Sequence, residues 1–437
     1  MSKPKMILPR GWKWEKLDDA LDYVIGGDWG KDEEFEDPNY GLAYCIRGSE
    51  IKSWEEGKGR TASLRKIKLS NIEKRKLIEG DILVEISGGG PEQPVGRTVL
   101  IDKTVLSYKP EIPKICTNFL RLIRPKDYVE GKFLNLYLKL FYYSGEIVKY
   151  QGGSNNLRNL KFPDYVKINF PLPPKPIQQA IISKIEELFS ELDKGIENLR
   201  IAQQQLKTYR QAVLKWAFEG RLTNEYVKEG KLPEGWKWLR FGELFSESPQ
   251  NGLYKSSVEY GSGTPIIRID GFYDGSIVDD YEYKRVRLTG EEIKKYIISV
   301  GDILINRVNS MPYLGKCGIV KHLKEKTVFE SNIMKVKIDK EIALPEYFTM
   351  YLSSKKGISE LRKNAKQAVN QASINQTDVS NVIVPLPLIK EQHKIVQEIE
   401  SRLSVADKME ESITQSLQQS EALRQSILKK AFEGKLV

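Results

Sequence analysis

Two acidic residues beside an apolar run have the spacing that a metal-dependent nuclease would need. Asp81 and Glu85 flank residues 82–84 (Ile-Leu-Val), and paired carboxylates of this kind can hold a catalytic divalent cation. Ser87 stands where that chemistry requires a lysine, and a second Gly-Asp-Ile-Leu segment carries Asn306 in place of the glutamate. The simpler interpretation is a turn that leads into a strand.

Other catalytic patterns are missing from the sequence as well. His322 and His393 are far apart and have no Cys or carboxylate cluster at ligand spacing, which argues against a histidine metal site or a catalytic triad. No G-x-x-x-x-G-K-[ST] loop occurs, which argues against nucleotide hydrolysis. Residues 37–40 (Asp-Pro-Asn-Tyr) lack the second proline of the amino-methyltransferase motif, so we interpret them as a turn. We therefore expect no catalytic residue, no metal and no bound cofactor in this chain.

Cysteine usage and hydropathy indicate the compartment. The three cysteines are Cys45, Cys116 and Cys317, and none lies in a CxxC spacing. A sparse, odd count argues against a disulfide framework and a zinc knuckle, and favours a reducing compartment. Residues 1–5 lead into no apolar segment, and no run of 18 apolar residues occurs. We expect neither a signal peptide nor a membrane span, and a cytoplasmic protein.

Loops that combine amides with arginine are the main signal for a binding function. Residues 151–159 (Gln-Gly-Gly-Ser-Asn-Asn-Leu-Arg-Asn) and 366–371 (Lys-Gln-Ala-Val-Asn-Gln) are of this type, and Asn or Gln can bond adenine as Arg can bond guanine. The formal charge of +10 and the pI of about 9.1 also favour a polyanionic partner. A solvated turn remains the alternative for any single residue. The candidate DNA-binding residues are Arg47, Lys58, Arg60, Arg97, Gln151, Asn155, Asn156, Arg158, Arg268, Arg307, Asn309, Lys316, Gln367, Asn370 and Gln371.

The elements that must position these residues occur twice. The length of 437 residues suits two to four domains. Matching blocks keep their order along the chain, at offsets that fall from 224 to 221 and then stay at 214. The matched blocks are 8–14 with 232–238, 80–83 with 301–304, 171–173 with 385–387, and 217–222 with 431–436. The changing offset places insertions inside the two copies, and the constant offset places none after residue 117.

Each copy predicts a mixed α/β module followed by a long helix. Residues 82–84 and 98–101 are β-branched runs typical of strands, and residues 133–143 have helical spacing. Residues 87–91 (Ser-Gly-Gly-Gly-Pro) predict a loop. We expect domains at 1–170 and 223–384, with the helix regions at 171–222 and 385–437.

The long helices carry a heptad pattern. Apolar residues recur every seven positions between residues 176 and 218, and more weakly between 389 and 432. Each helix needs a partner for this stripe, so we expect an antiparallel coiled coil that relates the modules by a pseudo-two-fold axis, within an α+β fold. The alternative is that each helix packs only on its own module. The expected pairing seam is Ile185, Leu188, Leu192, Leu199, Leu206, Val213, Ile399, Ala406, Met409, Ile413, Leu423 and Ile427.

These motifs together resemble the specificity subunit of type I restriction-modification enzymes. The Leu-Pro-x-Gly-Trp-Lys-Trp opening, the Gly-Asp-Ile-Leu turn, the Pro-Leu-Pro exit and the Ala-Phe-Glu-Gly-Arg/Lys-Leu ending occur in both copies. Residues 389–396 resemble the family's helix opening, whereas residues 175–179 lack the acidic residue that usually precedes the glutamine. This departure could alter the local cap without weakening the resemblance.

The resemblance implies a division of labour. Each module would be a target recognition domain that reads one half of a bipartite, asymmetric sequence in double-stranded DNA. The helices would space the domains and bind two modification subunits, which would carry S-adenosylmethionine. Restriction subunits would carry ATP and Mg. The assembled complex would be a DNA adenine methyltransferase and endonuclease, and this chain would have no active site. The family has no universal DNA-contact residues, so the candidates above rest on residue type and repeat position.

Three other functions remain open at this point. A reader of the same architecture could serve another methyltransferase or nuclease system. A coiled-coil scaffold that only bridges proteins would show no salt-dependent DNA binding. A self-sufficient enzyme would have to methylate or cut DNA as a purified chain.

Overall fold

Short, mostly antiparallel strands form the first module. The computed structural model describes residues 7–90, 93–153, 157–224, 226–227, 231–273, 275–277 and 282–437. The strands of the first module are β1 (Lys13–Lys16), β2 (Leu21–Gly26), β3 (Tyr40–Ile46), β4 (Ser63–Lys68), β5 (Ile82–Glu85), β6 (Ser87–Gly89), β7 (Thr98–Leu100), β8 (Lys114–Cys116), β9 (Leu120–Pro125), β10 (Gln151–Gly152), β11 (Arg158–Leu160) and β12 (Asn169–Leu172). Its helices are α1 (Trp54–Gly57), α2 (Leu69–Arg75), α3 (Lys103–Ser107), α4 (Gly131–Tyr143) and α5 (Phe162–Tyr165), and the long helix α6 (Lys175–Phe218) follows them.

The second module repeats this order with additions. Its strands are β13 (Lys237–Arg240), β14 (Phe245–Asn251), β15 (Tyr260–Ile267), β16 (Phe272–Tyr273), β17 (Gly275–Ile277), β18 (Lys284–Val286), β19 (Ile303–Asn306), β20 (Val308–Asn309), β21 (Cys317–Ile319), β22 (Val328–Phe329), β23 (Ile333–Ile338), β24 (Lys366–Ala368), β25 (Gln371–Ser373) and β26 (Ile383–Leu386). Its helices are α7 (Gly290–Tyr296), α8 (Pro345–Ser353), α9 (Lys355–Arg362) and α10 (Gln376–Ser380), and the long helix α11 (Ile389–Phe432) follows them.

The sheets of the two modules correspond strand by strand. The order β2-β9-β5-β7 in the first module matches β14-β23-β19-β21 in the second, where β17 and β16 extend the sheet. The sheet β4-β3-β8 corresponds to β18-β15-β22, and the pair β1-β12 corresponds to β13-β26. The predicted strands at 82–84 and 98–101 and the predicted helix at 133–143 are confirmed as β5, β7 and α4.

The predicted loop at residues 87–91 is wrong in its first half. Residues Ser87–Gly89 form strand β6, which pairs with β11 through Gly89 opposite Arg158 and Ser87 opposite Asn159. Local sequence favours a turn because of the glycines, but a distant strand supplies the hydrogen-bond partners. Residues 91 and 92 lie outside the described part of the chain.

The long helices have the bounds that the sequence predicts. Both α6 and α11 contain 44 residues, which corresponds to about 66 Å at 1.5 Å per residue. Each ends at a glycine with left-handed backbone, Gly220 at φ +74° and Gly434 at φ +68°. Such a residue stops a helix without the strain that a side chain would add.

The chain divides into two compact units, and each contains segments of both long helices. Unit 1 comprises Met1–Leu199 with Gln415–Val437, and unit 2 comprises Arg200–Thr414. The core of unit 1 includes Ile185 of α6 together with Phe432 of α11, whose ring lies 5.0 Å from that of Phe133. The alternative in which each helix packs only on its own module is therefore wrong.

Unit 2 repeats this plan with the roles of the helices exchanged. Its core includes Ile399 near the start of α11 and Phe218 at the end of α6. The Phe218 ring lies 5.3 Å from Tyr347 and 5.2 Å from Tyr351. In both units the start of one long helix packs with the end of the other, so the helices run antiparallel, as predicted.

Ion pairs between the helices follow the repeat. In unit 2 the Arg210 guanidinium lies 2.6 Å from Asp407 and 2.9 Å from Glu410. In unit 1 Arg424 pairs with Asp193 and lies over the Phe189 ring at 4.6 Å. Arg210 and Asp193 map onto Arg424 and Asp407 at the offset of 214. The same ion pair is therefore made once in each unit, with the helices exchanged.

The residues of the first predicted seam row are all buried or half-buried. Ile185, Val213, Ile399, Ala406 and Ile427 are buried. The other predicted row members Leu192, Leu199, Leu206 and Ile413, and Leu188 of the second row, are half-buried.

Met409 and Leu423, in the second predicted row, are wrong, because their side chains are 53% and 50% exposed. The second inward-facing row lies one residue later. In α11 its member Ala431 is buried, and Leu403, Glu410, Leu417 and Arg424 are half-buried. A second row that lies three residues after the first and one that lies four residues after it both repeat every seven residues. The period alone therefore does not choose between them. The polar members of the true row, including Arg424, hide it from a search for apolar residues.

The departure at the first helix opening has a structural consequence. Glu391 accepts hydrogen bonds from Trp236 Nε1 at 2.9 Å and from Thr223 at 3.1 Å. The equivalent residue in α6 is Ile177, which offers no acceptor to Trp12. The glutamate therefore anchors a tryptophan of the second opening motif, and the first module lacks that anchor.

Candidate nucleic-acid interface

A hairpin in each module carries the amide-rich residues. In the first module β10 pairs with β11, Gln151 opposite Leu160 and Gly152 opposite Asn159. In the second module β24 pairs with β25, Lys366 opposite Ser373. The sequence predicts a loop in both segments, which is wrong where β10, β11, β24 and β25 form. Strands of two or three residues leave no readable alternation in the sequence.

The two hairpins share one register. The pair Gly152 and Asn159 maps onto the pair Lys366 and Ser373 at the offset of 214. A third strand supports each hairpin, β6 in the first module and β20 in the second. The duplication therefore preserves the hairpin backbone while its side chains differ.

The second hairpin brings several predicted residues together. Gln367, Asn370 and Gln371 are all exposed on β24, β25 and their turn. Asn309 lies on the supporting strand β20, opposite Ala372. Its side-chain oxygen accepts a hydrogen bond from the Ser310 amide at 2.7 Å.

Arg307 stands beside this sheet and is held by backbone. Its own carbonyl accepts a hydrogen bond from Ile374 N at 2.9 Å, and its guanidinium donates to the Ser331 carbonyl at 2.9 Å. Burial lowers the pKa of Arg307. The arginine is thereby oriented at the base of the hairpin.

The first hairpin contains Gln151 and Arg158. Gln151 Nε2 donates to the Val95 carbonyl at 3.1 Å, which ties the hairpin to the segment before β7. The predicted residues Asn155 and Asn156 lie outside the described residues.

Equivalent positions beside the hairpins carry different side chains. Glu85 N bonds the Arg97 carbonyl at 2.9 Å, and Asn306 N bonds the Lys316 carbonyl at 2.8 Å, so the backbones match. Arg97 holds the buried Glu85 with two hydrogen bonds, of 2.8 and 2.5 Å, and these raise the pKa of Arg97. Lys316 instead lies over the Tyr313 ring at 4.9 Å. The positions of the Glu85–Arg97 ion pair in the first module are thus occupied by Asn306 and Lys316 in the second.

A cleft of about 710 Å³ in the first module joins two of the predicted arginines. Arg47 and Arg97 both line it, together with the rings of Trp29 and Phe119. Arg47 donates to Glu50 at 3.2 Å and to the Thr61 carbonyl at 2.9 Å. The cleft combines cations with aromatic surface, a combination suited to nucleic acid.

Arg268 is the counterpart of Arg47 in the second module. Its guanidinium lies 3.0 Å from Glu330, whose other oxygen accepts a hydrogen bond from Ile269 N at 2.8 Å. The hydrogen bond that the Arg268 guanidinium donates to Glu330 raises the pKa of Arg268. Both arginines are thus positioned by a carboxylate of their own module.

Lys58 and Arg60 are not brought to either hairpin. Lys58 pairs with Glu55 at 2.8 Å and lies 3.5 Å from Asp102, in a separate cleft beside α6. Burial raises the pKa of Glu55, but Lys139 and Lys58 outweigh it and lower that pKa to about 2. Arg60 is exposed on the following turn. Contacts of Lys58 therefore lie within the protein.

The carboxylates with nuclease spacing are occupied by arginines. Asp81 accepts two hydrogen bonds from Arg124, at 2.7 and 2.9 Å, as Glu85 does from Arg97. In the described part of the chain, no three His, Cys, Asp or Glu side chains are grouped as metal ligands would be. The three cysteines are free and buried, and burial raises the pKa of each thiol to about 12.

Comparison with known proteins identifies the family. The sequence model of the "Type I restriction modification DNA specificity domain" matches residues 9–200 and again residues 233–419. The chain belongs to this family. Its two modules are two specificity domains.

Relatives and solved structures share the full length. The chain is 28% identical to the specificity subunit of the type I restriction enzyme EcoKI of Escherichia coli, over 98% of this chain and 90% of the relative. It is 27% identical to that of StySPI of Salmonella potsdam, with the same coverage.

A structure on complex assembly of the type I R-M system has a TM-score of 0.71 at 19% identity and covers 98% of this chain and 100% of its own. The HsdS subunit from Thermoanaerobacter tengcongensis has a TM-score of 0.59 at 20% identity, and each chain covers the other fully. These two likenesses concern the fold.

Two exposed aromatic residues of the specificity domains are not among the candidates predicted from the sequence. Trp29 is 38% exposed, with the Arg65 guanidinium 4.4 Å above its ring. The equivalent residue Tyr254 is 81% exposed. Both follow a glycine that packs against backbone, Gly27 and Gly252, where a side chain would clash. That shared glycine is the one signal in the sequence that could have located them.

No helix in the described segments is long and apolar enough to cross a membrane.

Proposed function

We propose that this chain reads a bipartite, asymmetric DNA sequence for a type I restriction-modification complex, one half-site with each specificity domain. The observation that carries the proposal is the duplicated hairpin, which has one backbone register and different side chains in the two domains. A conserved frame with changed side chains is what two readers of different sequences need.

Asymmetry follows from the residues beside the hairpins. The first domain has Glu85 and Arg97 where the second has Asn306 and Lys316. An arginine fork can bond guanine bidentately, whereas a lysine is a point charge. The two half-sites therefore differ, and the target is not a palindrome.

Phosphate contacts supply much of the affinity. The chain has a net charge of +10, and each cation that neutralises a phosphate releases a counterion. Binding then weakens as salt concentration rises, while the amides and arginines of the hairpins and clefts supply the preference for sequence.

In this proposal the partner subunits catalyse methyl transfer and DNA cleavage. Two modification subunits bind the paired helices and carry S-adenosylmethionine, and restriction subunits carry ATP and Mg. The chain itself is a non-catalytic, cytoplasmic subunit, and the complex is an adenine methyltransferase and endonuclease. Support comes from the names of the relatives, which are specificity subunits of type I restriction enzymes.

The test is a domain exchange in the assembled complex. The chain is expressed with a modification subunit of its host, and methylated sites are mapped by sequencing with and without the chain. Exchanging residues 7–170 for the corresponding domain of a relative should change one half-site and leave the other intact. The original complex, mapped in parallel, is the control.

Two results would overturn the proposal. If both half-sites changed after the exchange, the domains would not be independent readers. If the complex showed no preference for any duplex over random competitor, the chain would be a scaffold and not a reader.

A further inference from the structure

A two-residue turn closes the hairpin of the second domain. Ala368 lies opposite Gln371, so only Val369 and Asn370 connect the strands β24 and β25. Asn370 has φ +65°, a left-handed conformation that asparagine tolerates better than most residues. Val369 therefore lies at the tip of a tight two-residue turn.

The base of this hairpin is fixed in the core. Ala372 and Ile374 are buried, and Ile374 N bonds the Arg307 carbonyl at 2.9 Å. The supporting strand β20 pairs with β25 through Asn309 and Val308. Beyond this base every residue from 366 to 371 is exposed. The result is a two-stranded ribbon with a buried base and exposed strands and turn.

Val369 is the apolar residue at the tip of that ribbon. Its side chain is 93% exposed. Its neighbours Gln367, Asn370 and Gln371 carry amides, which can pair with the N6 and N7 atoms of adenine. A β-branched apolar side chain gains nothing from water at this place, whereas contact with an apolar partner would remove it from solvent.

The major groove of DNA offers one apolar group on a base edge. A two-stranded ribbon fits the width of this groove, and the C5-methyl of thymine is the group that apolar side chains contact there. An amide bonded to adenine brings the thymine of the same base pair close. On the proposed function, we infer that Val369 contacts the C5-methyl of a thymine in the half-site of the second domain and selects for it.

The first domain carries a different residue type at the same place. At the offset of 214 the counterpart of Val369 is Asn155, a polar residue that lies outside the described residues. The thymine contact is therefore assigned to the second domain alone, and its loss should leave the other half-site unchanged.

The experiment removes the methyl group from the DNA and the valine from the protein. Binding of the complex with its modification subunit is measured on the mapped target, with uracil replacing each thymine of the second half-site in turn. One replacement should weaken binding by about fourfold, which corresponds to ~0.8 kcal/mol for one buried methyl group. With Val369→Ala, that same replacement should cause no further loss.

A matched control separates this contact from exposed apolar surface in general. Val258 of the same domain is 74% exposed and is not part of the hairpin, which comprises residues 366–373. Val258→Ala should keep the full sensitivity to uracil. Uracil in the first half-site should affect Val369→Ala and the original chain equally.

Failure of this inference differs from failure of the proposed function. If the complex prefers its target but no uracil replacement in the second half-site is coupled to Val369, the thymine contact is wrong and the reader remains. The same holds if that half-site contains no thymine. If the complex prefers no duplex at all, both proposals fall.

Discussion

The buried amides of Gln178 and Gln392, which lie 214 residues apart, make the same three hydrogen bonds. Each ties the first turn of a long helix to backbone of its own module, and both side chains are fully buried. Gln178 accepts from Glu130 N at 2.8 Å and donates to the carbonyls of Tyr128 at 3.0 Å and Pro173 at 2.9 Å. Gln392 accepts from Leu344 N at 2.7 Å and donates to the carbonyls of Ile342 at 3.1 Å and Pro387 at 2.9 Å.

Replacing either glutamine should destabilise the unit that contains it. Gln178→Leu or Gln392→Leu leaves one amide and two carbonyls without a partner in the interior, at a cost of about 2–4 kcal/mol. Urea unfolding measures the change. Gln397→Leu, at an exposed position of the same helix α11, is the control and should change stability by less than about 0.5 kcal/mol. Equal effects of Gln392→Leu and the control would show that the network contributes nothing.

Sequence periodicity predicted the parts of the fold that are locally encoded. The helix α11 has the predicted bounds, because its apolar spacing extends over many turns. The hairpins were missed because their strands are two or three residues long and depend on a third strand from elsewhere. The register of the second helix row was missed because Arg210 and Arg424 occupy it. Each makes an ion pair with the other long helix, and the sequence does not show such a contact.

The sequence predicted the residue types of the candidate site but not their partners. Residue type singled out Arg97 and Lys316, and the matching backbone hydrogen bonds from Glu85 and Asn306 show that they are equivalent. Only the structure shows that Arg97 is held by the buried Glu85. Trp29 and Tyr254 were missed because a lone aromatic residue in sequence is more often part of a core.

The glycines that end the long helices should tolerate no side chain. A Cβ on Gly220 would lie 2.1 Å from Pro233, and one on Gly434 would lie 2.1 Å from Pro9. Both have left-handed φ as well. Gly220→Ala or Gly434→Ala should therefore cost about 1–3 kcal/mol. These contacts also explain why the opening and ending motifs recur together.

A third glycine is a control for which substitution by alanine should raise stability instead of lowering it. Gly195 is exposed within α6, and no atom lies within 4 Å of the Cβ position. Gly195→Ala should stabilise the chain by about 0.5–1 kcal/mol, because glycine is the poorer helix former. Thermal unfolding of the three variants tests both signs. A stabilising Gly434→Ala would contradict the packing of Pro9 on the helix end.

The corrected seam predicts which helix substitutions are harmful. Leu199 is half-buried in the first predicted row, and Leu199→Asp should cost about 1–3 kcal/mol, because it places a charge at a half-buried apolar position. Met409→Asp and Leu423→Asp introduce the same charge at exposed positions of α11 and should be nearly neutral. Circular dichroism during urea unfolding measures all three. A loss at Met409→Asp as large as at Leu199→Asp would restore the register predicted from sequence.

Charge and amide on the same hairpin should have separable effects on DNA binding. Lys366 and Gln371 are both exposed on β24 and β25. On the proposed function Lys366 binds phosphate, so for Lys366→Ala we expect affinity to fall equally for all duplexes and the slope of log K against log salt to decrease by about 1. On the same proposal Gln371 binds a base, so Gln371→Ala should relax the preference at one position of the second half-site by about 1–3 kcal/mol.

The first domain supplies the control for this separation. Gln151→Ala, in the equivalent hairpin, should leave the second half-site unchanged. Competition binding of the complex at several salt concentrations, with single-base variants of both half-sites, gives every value needed. A uniform loss from Gln371→Ala over all variants, with a reduced salt slope, would mean that the hairpin lies on the phosphate backbone and reads no base, because a contact that carries sequence information must discriminate between bases.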